Sequence, residues 1–206
     1  SLAAVAYAQT QVNTYSVSGG TSPTTAGSTS KPKNIELKFG YKVGEQSNLR
    51  PSPVKKYSIR FAGIKANTAA FPKCSYAKLN SSGGPKNCPS GSRVGQGFIK
   101  NATGATNKKD DKSIPCNAAL DVYNAGGTKA VIYVAGGPNE TDPRRNCLAE
   151  LAAPIDARFV RSNGGKDVAL EFSVPSTLLH PGPGLDNAVV DVSSTISGKT
   201  RTYKGE

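Results

Sequence analysis

The feature that most constrains the fold is a nine-residue stretch in which apolar and polar residues alternate strictly. Its apolar members are Ile35, Leu37, Phe39, Tyr41 and Val43, and its other members are Glu36, Lys38, Gly40 and Lys42. A β-strand places successive side chains on opposite faces of a sheet, whereas a helix does not. The alternation therefore predicts a half-buried strand with one face on a core and the other in water.

Similar patterns recur along the chain and predict an all-β fold. Alternation is clear over 57–61, 168–174 and 190–196, and further strands are predicted at 94–100, 119–124, 129–135 and, more weakly, 157–161. Gly126-Gly127 marks a hairpin between two of them. Eight or nine short strands with many Gly and Pro residues are typical of an immunoglobulin-like antiparallel β-sandwich. A helical turn starting at Cys147 is possible, but Pro154 would end it.

An irregular excursion over 67–91 interrupts the strands, and a short helix is expected at 75–79. The chain has four cysteines, Cys74, Cys88, Cys116 and Cys147, and none lies in a C-x-x-C motif. An even number in an exported chain indicates two disulfides, for which three pairings are possible. We favour Cys74–Cys88 and Cys116–Cys147, because the nearest pairs close compact loops. The alternative is four buried thiols in a cytosolic protein.

The chain divides into an arm, a linker and a body. The body is predicted over 34–206, and residues 19–33 are a Gly/Ser/Thr/Pro-rich linker that cannot fold alone. Residues 1–18 form an arm whose start, 2–8, is apolar on both faces of a strand, as in a strand buried from both sides. Its assembly residues are Leu2, Val5, Tyr7, Val12, Tyr15 and Val17. Alternatively, 1–8 is a signal-peptide remnant, because Ala6-Tyr7-Ala8 resembles an export cleavage site.

The net charge of +12 comes from the middle of the chain, since residues 46–109 contain no acidic residue. Twelve basic residues lie there: Arg50, Lys55, Lys56, Arg60, Lys65, Lys73, Lys78, Lys86, Arg93, Lys100, Lys108 and Lys109. They predict a basic surface for polyanions such as acidic wall polymers, or lysines spread over several faces for solubility. No helix-turn-helix, RRM or zinc-finger pattern indicates specific nucleic-acid binding.

No catalytic, cofactor or metal site is predicted. The single histidine, His180, lies in a Pro/Gly-rich loop, which indicates a structural role, and no G-x-S-x-G motif occurs. Paired carboxylates at Asp110-Asp111 and Asp186 with Asp191 lack the aromatic platforms of a glycosidase site. The segment 139–142 offers oxygen ligands for calcium but is equally typical of a polar hairpin tip. No apolar run is long enough to cross a membrane as a helix.

Two stretches resemble uncharacterised secreted β-sandwich proteins of actinobacteria. They are Phe71-Pro72-Lys73-Cys74 and the run from Cys88-Pro89 to Gln96-Gly97, with Lys38–Tyr41 and Val174-Pro175 fitting the same picture. The resemblance covers most of 34–200 and implies export and a sandwich fold, but no activity. Members of this group run on into a further strand, so we expect the sandwich of this chain to have an open edge.

These observations favour one of two functions, neither of them enzymatic. The first is a secreted structural protein, a pilus-like filament subunit in which the N-terminal arm of one copy adds a strand to the open edge of the next. The second is a monomeric extracellular module that binds anionic cell-wall polymers through the basic surface.

Overall fold

The computed structural model describes residues 12–24, 35–62, 68–81, 84–137, 144–147, 150–165 and 167–197, and these form an antiparallel β-sheet. The strands are β1 (Asn13–Ser22), β2 (Glu36–Glu45), β3 (Lys56–Phe61), β4 (Arg93–Ala105), β5 (Ile114–Gly126), β6 (Lys129–Ala135), β7 (Asn146–Cys147), β8 (Ala152–Ser162), β9 (Asp167–Ser173) and β10 (Leu185–Ser197). The helices are α1 (Tyr76–Ser81) and α2 (Ser176–Leu179).

The strands form one continuous sheet in the order β1-β2-β10-β4-β5-β6-β8-β9-β3, with β7 paired to β5. The sheet curls until side chains of β3 meet those of β2, although these strands lie near opposite ends of the order. Ring centroids of Phe39 and Phe61 are 6.1 Å apart. Register shifts in β4, β5 and β10 supply local bends, because a bulge increases strand twist. The antiparallel β-fold is confirmed, whereas two separate immunoglobulin-like sheets are not.

The main core fills the concave side of the curled sheet. Every second residue of the central strands points inward, as the alternating patterns predict. Its buried members include Ile99, Val122, Ile132, Ile155, Leu170 and Val192, and the partly buried aromatic rings of Phe39, Tyr41, Phe61 and Phe172 pack against them. Burying such a side chain contributes about 1.5–3 kcal/mol, so these residues are the main source of stability.

A second, smaller core lies on the outer face of β5 and β6, under the disulfide-linked excursion. Cys74 and Leu79 pack there against Tyr123, Val131 and Tyr133. The side-chain amide of Asn124 binds the excursion by donating to the carbonyls of Thr68, Phe71 and Pro72 at 3.0, 2.9 and 3.1 Å. The excursion therefore covers a part of the sheet that would otherwise be exposed.

The disulfides join Cys74 to Cys88 and Cys116 to Cys147, the pairs favoured from the sequence. The first closes the excursion around α1, and the second joins β5 to β7. Both restrict the unfolded chain more than the folded one, which stabilises the fold.

Pro154 lies inside β8 instead of ending a helical turn. Pairing of β8 with β6 spans Ala152–Arg158, whereas pairing with β9 begins only at Ala157. Pro154 thus lies where one side of the strand has no ladder partner, a place where the missing N–H costs nothing. The weakly predicted strand at 157–161 is consequently longer than expected.

The N-terminal arm and the linker also differ from expectation. β1 runs through Ser22, so the first four residues of the predicted linker continue the strand. β1 pairs with β2 of the same chain over its whole length, from Asn13 opposite Glu45 to Ser22 opposite Glu36. Residues 13–18 are therefore part of the body. Residues 1–11 and the linker segment 25–33 lie outside the described residues.

Replacing both Cys74 and Cys88 by Ala should lower the free energy of unfolding by about 3 kcal/mol, because the loop between them is then unconstrained in the unfolded chain. Denaturant titration followed by circular dichroism measures the change. The Cys116 and Cys147 double variant is the matched comparison, with a larger expected loss because 31 residues separate its cysteines instead of 14. An unchanged transition midpoint would contradict the structural role of the first disulfide.

Candidate interaction site

The two terminal strands of the curled sheet, β1 and β3, each have an edge that no described strand pairs with. β3 pairs with β9 on one side, and no described strand pairs with its other side. At the other end of the sheet, β1 pairs only with β2 within the described part of the chain. The curl places β3 opposite β2, as the contacts Phe39–Phe61 and Tyr41–Tyr57 show. β3 is the last strand of the order, so no described strand lies opposite β1.

The inward face of β1 is apolar and uncovered. Val17 lies opposite Tyr41 and Tyr15 lies opposite Val43, so both side chains point to the same side of the sheet as the core. Nevertheless Val17 is 77% exposed and Tyr15 is 63% exposed. Large apolar side chains on a core-facing surface need a covering layer, and no residue in the described part of the chain supplies one. We call this region, bounded by the unpaired edge of β3 and by Tyr15 and Val17, the open gap.

Aromatic rings form the floor and one wall of the open gap. Tyr41 of β2 contacts Tyr57 of β3 with ring centroids 5.5 Å apart, and Tyr57 stacks on Phe172 of β9 at 4.9 Å. Burial raises the pKa of Tyr41 and of Tyr57, so both phenols stay neutral at physiological pH. An apolar cavity of about 90 Å³ lies behind these rings. The floor and wall are thus suited to apolar side chains and not to a charged ligand.

The start of β1 is fixed beside the loop that leads into β3. The side-chain amide of Asn13 donates to the carbonyl of Ser52 at 2.9 Å, and its oxygen accepts from the Ser52 amide at 2.9 Å. β1 is antiparallel to β2, and the contacts Phe39–Phe61 and Tyr41–Tyr57 show that β2 runs opposite to β3. β1 and β3 therefore run in the same direction, and residues 1–11 join the body at one end of the open gap.

The predicted assembly residues fall into two groups. Val12, Tyr15 and Val17 are described and lie in or just before β1, exposed but within the sheet of their own chain. Leu2, Val5 and Tyr7 lie outside the described residues. The sequence identified the apolar character of β1 correctly but gave no signal that its backbone pairs with β2.

Arg50, assigned to the basic surface from the sequence, is fully buried. Its guanidinium donates to the carbonyls of Ala105 at 2.6 Å and Lys108 at 3.2 Å, and also to that of Asp111. It holds the 105–111 loop against β2 and β10. Arg50 therefore stabilises the fold from the inside and is not accessible to a polyanion, which corrects that part of the prediction.

The fold brings acidic residues from the second half of the chain to the predicted basic surface. Arg60 lies 3.9 Å from Asp167, Arg93 lies 3.6 Å from Asp121, and Lys100 lies 3.9 Å from Asp191. Lys55, Lys56, Lys73, Lys78, Lys86 and Lys108 are exposed at positions on different elements, and Lys65 lies outside the described residues. Segregation of charge along the sequence does not produce an equally segregated surface, so the polyanion interpretation loses support.

Asp186 is the centre of a buried polar cluster. Its carboxylate lies 3.0 Å from the Lys109 amine and 3.0 Å from Nδ1 of His180, and accepts from the Thr106 hydroxyl at 3.2 Å. Arg50 lies 4.0 Å away. Burial alone would raise the pKa of Asp186, but the hydrogen bond and charge of Lys109, together with Thr106 and His180, lower it below its usual value. His180 thus joins the loop after α2 to β10, a structural role.

No family model matches the chain, no curated protein matches it, and no solved structure matches it. The resemblance to secreted actinobacterial proteins therefore stays a prediction. In the described part of the chain, no helix is long and apolar enough to cross a membrane, and no group of three His, Cys, Asp or Glu side chains is placed to hold a metal.

Replacing Asp186 by Asn should lower the free energy of unfolding at neutral pH by about 3 kcal/mol, because it removes the buried anion that lies 3.0 Å from the Lys109 amine and 4.0 Å from the buried Arg50 guanidinium. A carboxyl whose pKa is lowered on folding stabilises the protein above its ordinary pKa, and this contribution disappears as the pH falls through the folded value. Wild-type stability should therefore fall below pH ~4 more steeply than that of Asp186→Asn.

Denaturant titrations over a series of pH values measure both effects. Asp191→Asn is the matched control, because Asp191 is more exposed and its ion pair with Lys100, at 3.9 Å, is longer than that of Asp186 with Lys109, at 3.0 Å. Its effect should stay below ~1 kcal/mol. Parallel pH profiles for the wild type and Asp186→Asn would contradict the assignment.

Proposed function

We propose that this protein is a secreted structural subunit that assembles into an extracellular filament, with residues 2–8 of one copy lying beside β3 of the next. In this view the curled sheet is an incomplete β-sandwich, and the open gap is the place of its missing strand. The observation that carries the proposal is the coincidence of an unpaired strand edge with an uncovered apolar surface at Tyr15 and Val17.

The apolar segment fits the open gap in length and in pattern. Residues 2–8 form a seven-residue run, and β3 offers an edge of six residues. As a strand, the segment would point Ala3, Val5 and Tyr7 to one side and Leu2, Ala4 and Ala6 to the other. The outward residues of β3 are exposed, so a strand beside β3 would have one buried and one solvent-facing side, and not the two buried sides expected from the sequence. The face with Val5 and Tyr7 has the bulk to cover Tyr15 and Val17, and burial of side chains of this kind contributes about 1.5–3 kcal/mol each.

Strand addition supplies backbone hydrogen bonds along with the apolar contact. A contact between the N-terminal segment of one copy and the β3 edge of another is heterologous, so it does not close on itself and propagates as a filament. The two disulfides suit an oxidising compartment, which supports secretion.

Replacing Val5 by Asp should abolish polymers, because the inserted strand would then bury a carboxylate against Tyr15 and Val17. Size-exclusion chromatography and negative-stain imaging of wild type and variant measure the change, and the mass of each intact chain confirms that residues 1–8 are retained. Ala4→Asp is the control: it adds the same charge on the face that points to solvent, and should leave most of the polymer. A wild-type protein that stays monomeric at every concentration would refute the proposal.

Asn13 fixes the start of β1 next to the loop before β3, so insertion of residues 2–8 into the gap of their own chain is the competing arrangement. Mixing two single variants, Ala4→Cys and Ser58→Cys, separates these cases, since Ser58 lies on the solvent-facing side of β3. A disulfide between the two variants requires insertion from a second copy, because neither chain carries both new thiols. If the Ala4→Cys, Ser58→Cys double variant cross-links only within one chain and the mixture does not, the segment closes its own gap and the filament model is wrong.

A further inference from the structure

The outer edge of β1 has the properties of a strand that pairs with another chain. β1 is ten residues long, contains no charged residue and no proline, and keeps an unbroken register with β2. Natural edge strands are usually protected from pairing by charges, prolines, bulges or short length. Within the described chain β1 has none of these protections, although the protein has a net charge of +12.

The hydrogen-bond pattern identifies the groups that this edge presents. The amide of Gln46 donates to the carbonyl of Val12 at 3.1 Å, which shows that residue 12 is bonded toward β2. Bonding alternates along an antiparallel strand, so residues 14, 16, 18 and 20 also face β2. The N–H and C=O groups of Asn13, Tyr15, Val17, Gly19 and Thr21 therefore point away from the sheet.

We propose that β1 pairs antiparallel with β1 of a second copy, on a two-fold axis that passes through Val17. This register uses all five outward-pointing residues of each strand. It places Val17 opposite Val17 of the second copy and Tyr15 opposite Gly19 of the second copy. A ring beside a cross-strand glycine covers backbone that would otherwise be exposed. The pairing thus covers, from the side, the two most exposed large apolar residues described in the chain.

A second copy is the partner that the strand itself favours. An isologous pair of identical antiparallel strands is self-complementary, and every outward donor meets an outward acceptor. β1 itself has no charged residue, so the two paired strands add no repulsion of their own between the positively charged copies. Lys38 and Lys42 of β2 lie one strand away and are exposed, so repulsion between them weakens the pair at low ionic strength. Added salt should therefore tighten the association.

This pairing is separate from the proposed strand addition, which uses the edge of β3. It joins two copies through a closed contact, and filaments joined by residues 2–8 would be linked side by side through it. Because one strand pair buries little area, we expect a weak dimer that forms at high protein concentration.

A single cysteine tests the register directly. In the proposed dimer the two Cα atoms of residue 17 are about 5.5 Å apart, within the range that a disulfide spans. All four native cysteines are paired, so Val17→Cys carries the only free thiol. Mild oxidation of the full chain should give a covalent dimer on a non-reducing gel. Val12→Cys is the matched control, because residue 12 faces residue 22 in this register and should give none.

The test is made in full-length chains with and without Val5→Asp, which disables strand addition at β3. A covalent dimer of Val17→Cys in both backgrounds supports the pairing whether or not filaments form. Absence of the dimer in both, or equal dimer from Val12→Cys, overturns the pairing without touching the filament proposal. A dimer that disappears with Val5→Asp would mean that the contact depends on the filament, which also overturns an independent interface.

Charge reversal gives a second readout. In the Val5→Asp background, which disables strand addition, Val17→Lys and Val17→Glu, each alone, place like charges opposite each other and should weaken self-association at least tenfold in sedimentation equilibrium. An equimolar mixture of the two should restore it as a heterodimer. If each variant associates as tightly as Val5→Asp alone, or if the mixture does not recover, the two-fold axis does not pass through Val17 and the proposal is wrong.

Discussion

The contact between β2 and β3 is the constraint on which the rest of the structure depends. These strands are far apart in the order of the sheet, yet Phe39 meets Phe61 and Tyr41 meets Tyr57. This contact turns a nine-strand ribbon into a closed core, because it brings the two halves of the sheet face to face. It also decides where the core ends. β1 extends the sheet one strand beyond β2, but no described strand follows β3 in the facing half, so Tyr15 and Val17 of β1 are left uncovered.

Two covering devices complete the curled sheet elsewhere. On the outer face of β5 and β6, the excursion closed by Cys74 and Cys88 supplies a small core of its own. Where β10 begins, two buried residues hold the 105–111 loop in place. Arg50 donates hydrogen bonds to backbone carbonyls of the loop, and Asp186 binds the Lys109 amine. Neither reaches β1, so the open gap is the part of the sheet that its own described residues leave unfinished.

The sequence predicted most strands because their signal is local. The period-two pattern in β2, β9 and β10 reflects one buried face, and the disulfide pairs followed from spacing. The exceptions depend on distant residues. From the sequence, Pro154 predicts the end of a helical turn. In the structure it lies in β8, in the part of the strand that pairs with β6 but not with β9. From the sequence, β1 was divided between an arm and a linker, because nothing in its composition indicates that its backbone pairs with β2.

The candidate site was harder to predict than the fold. An apolar N-terminal segment and an open edge were expected, but the position of that edge over Tyr15 and Val17 follows only from the curl. The basic surface was hard to predict for a related reason: charges separated along the chain meet after folding, as Arg60 meets Asp167 and Arg93 meets Asp121. Arg50 shows the extreme case, since a cation in an acid-free segment is completely enclosed.

The anchoring of Asn13 to Ser52 has a mechanical consequence. Tension applied to residues 1–11 enters the body at the first residue of β1, where this pair of hydrogen bonds and the contact of Val12 with Gln46 resist it. Tension directed along β1 would load its ten residue pairs with β2 in shear, so that they must break together and not one after another. A tether attached in this way withstands pulling along the strand far better than peeling away from the sheet.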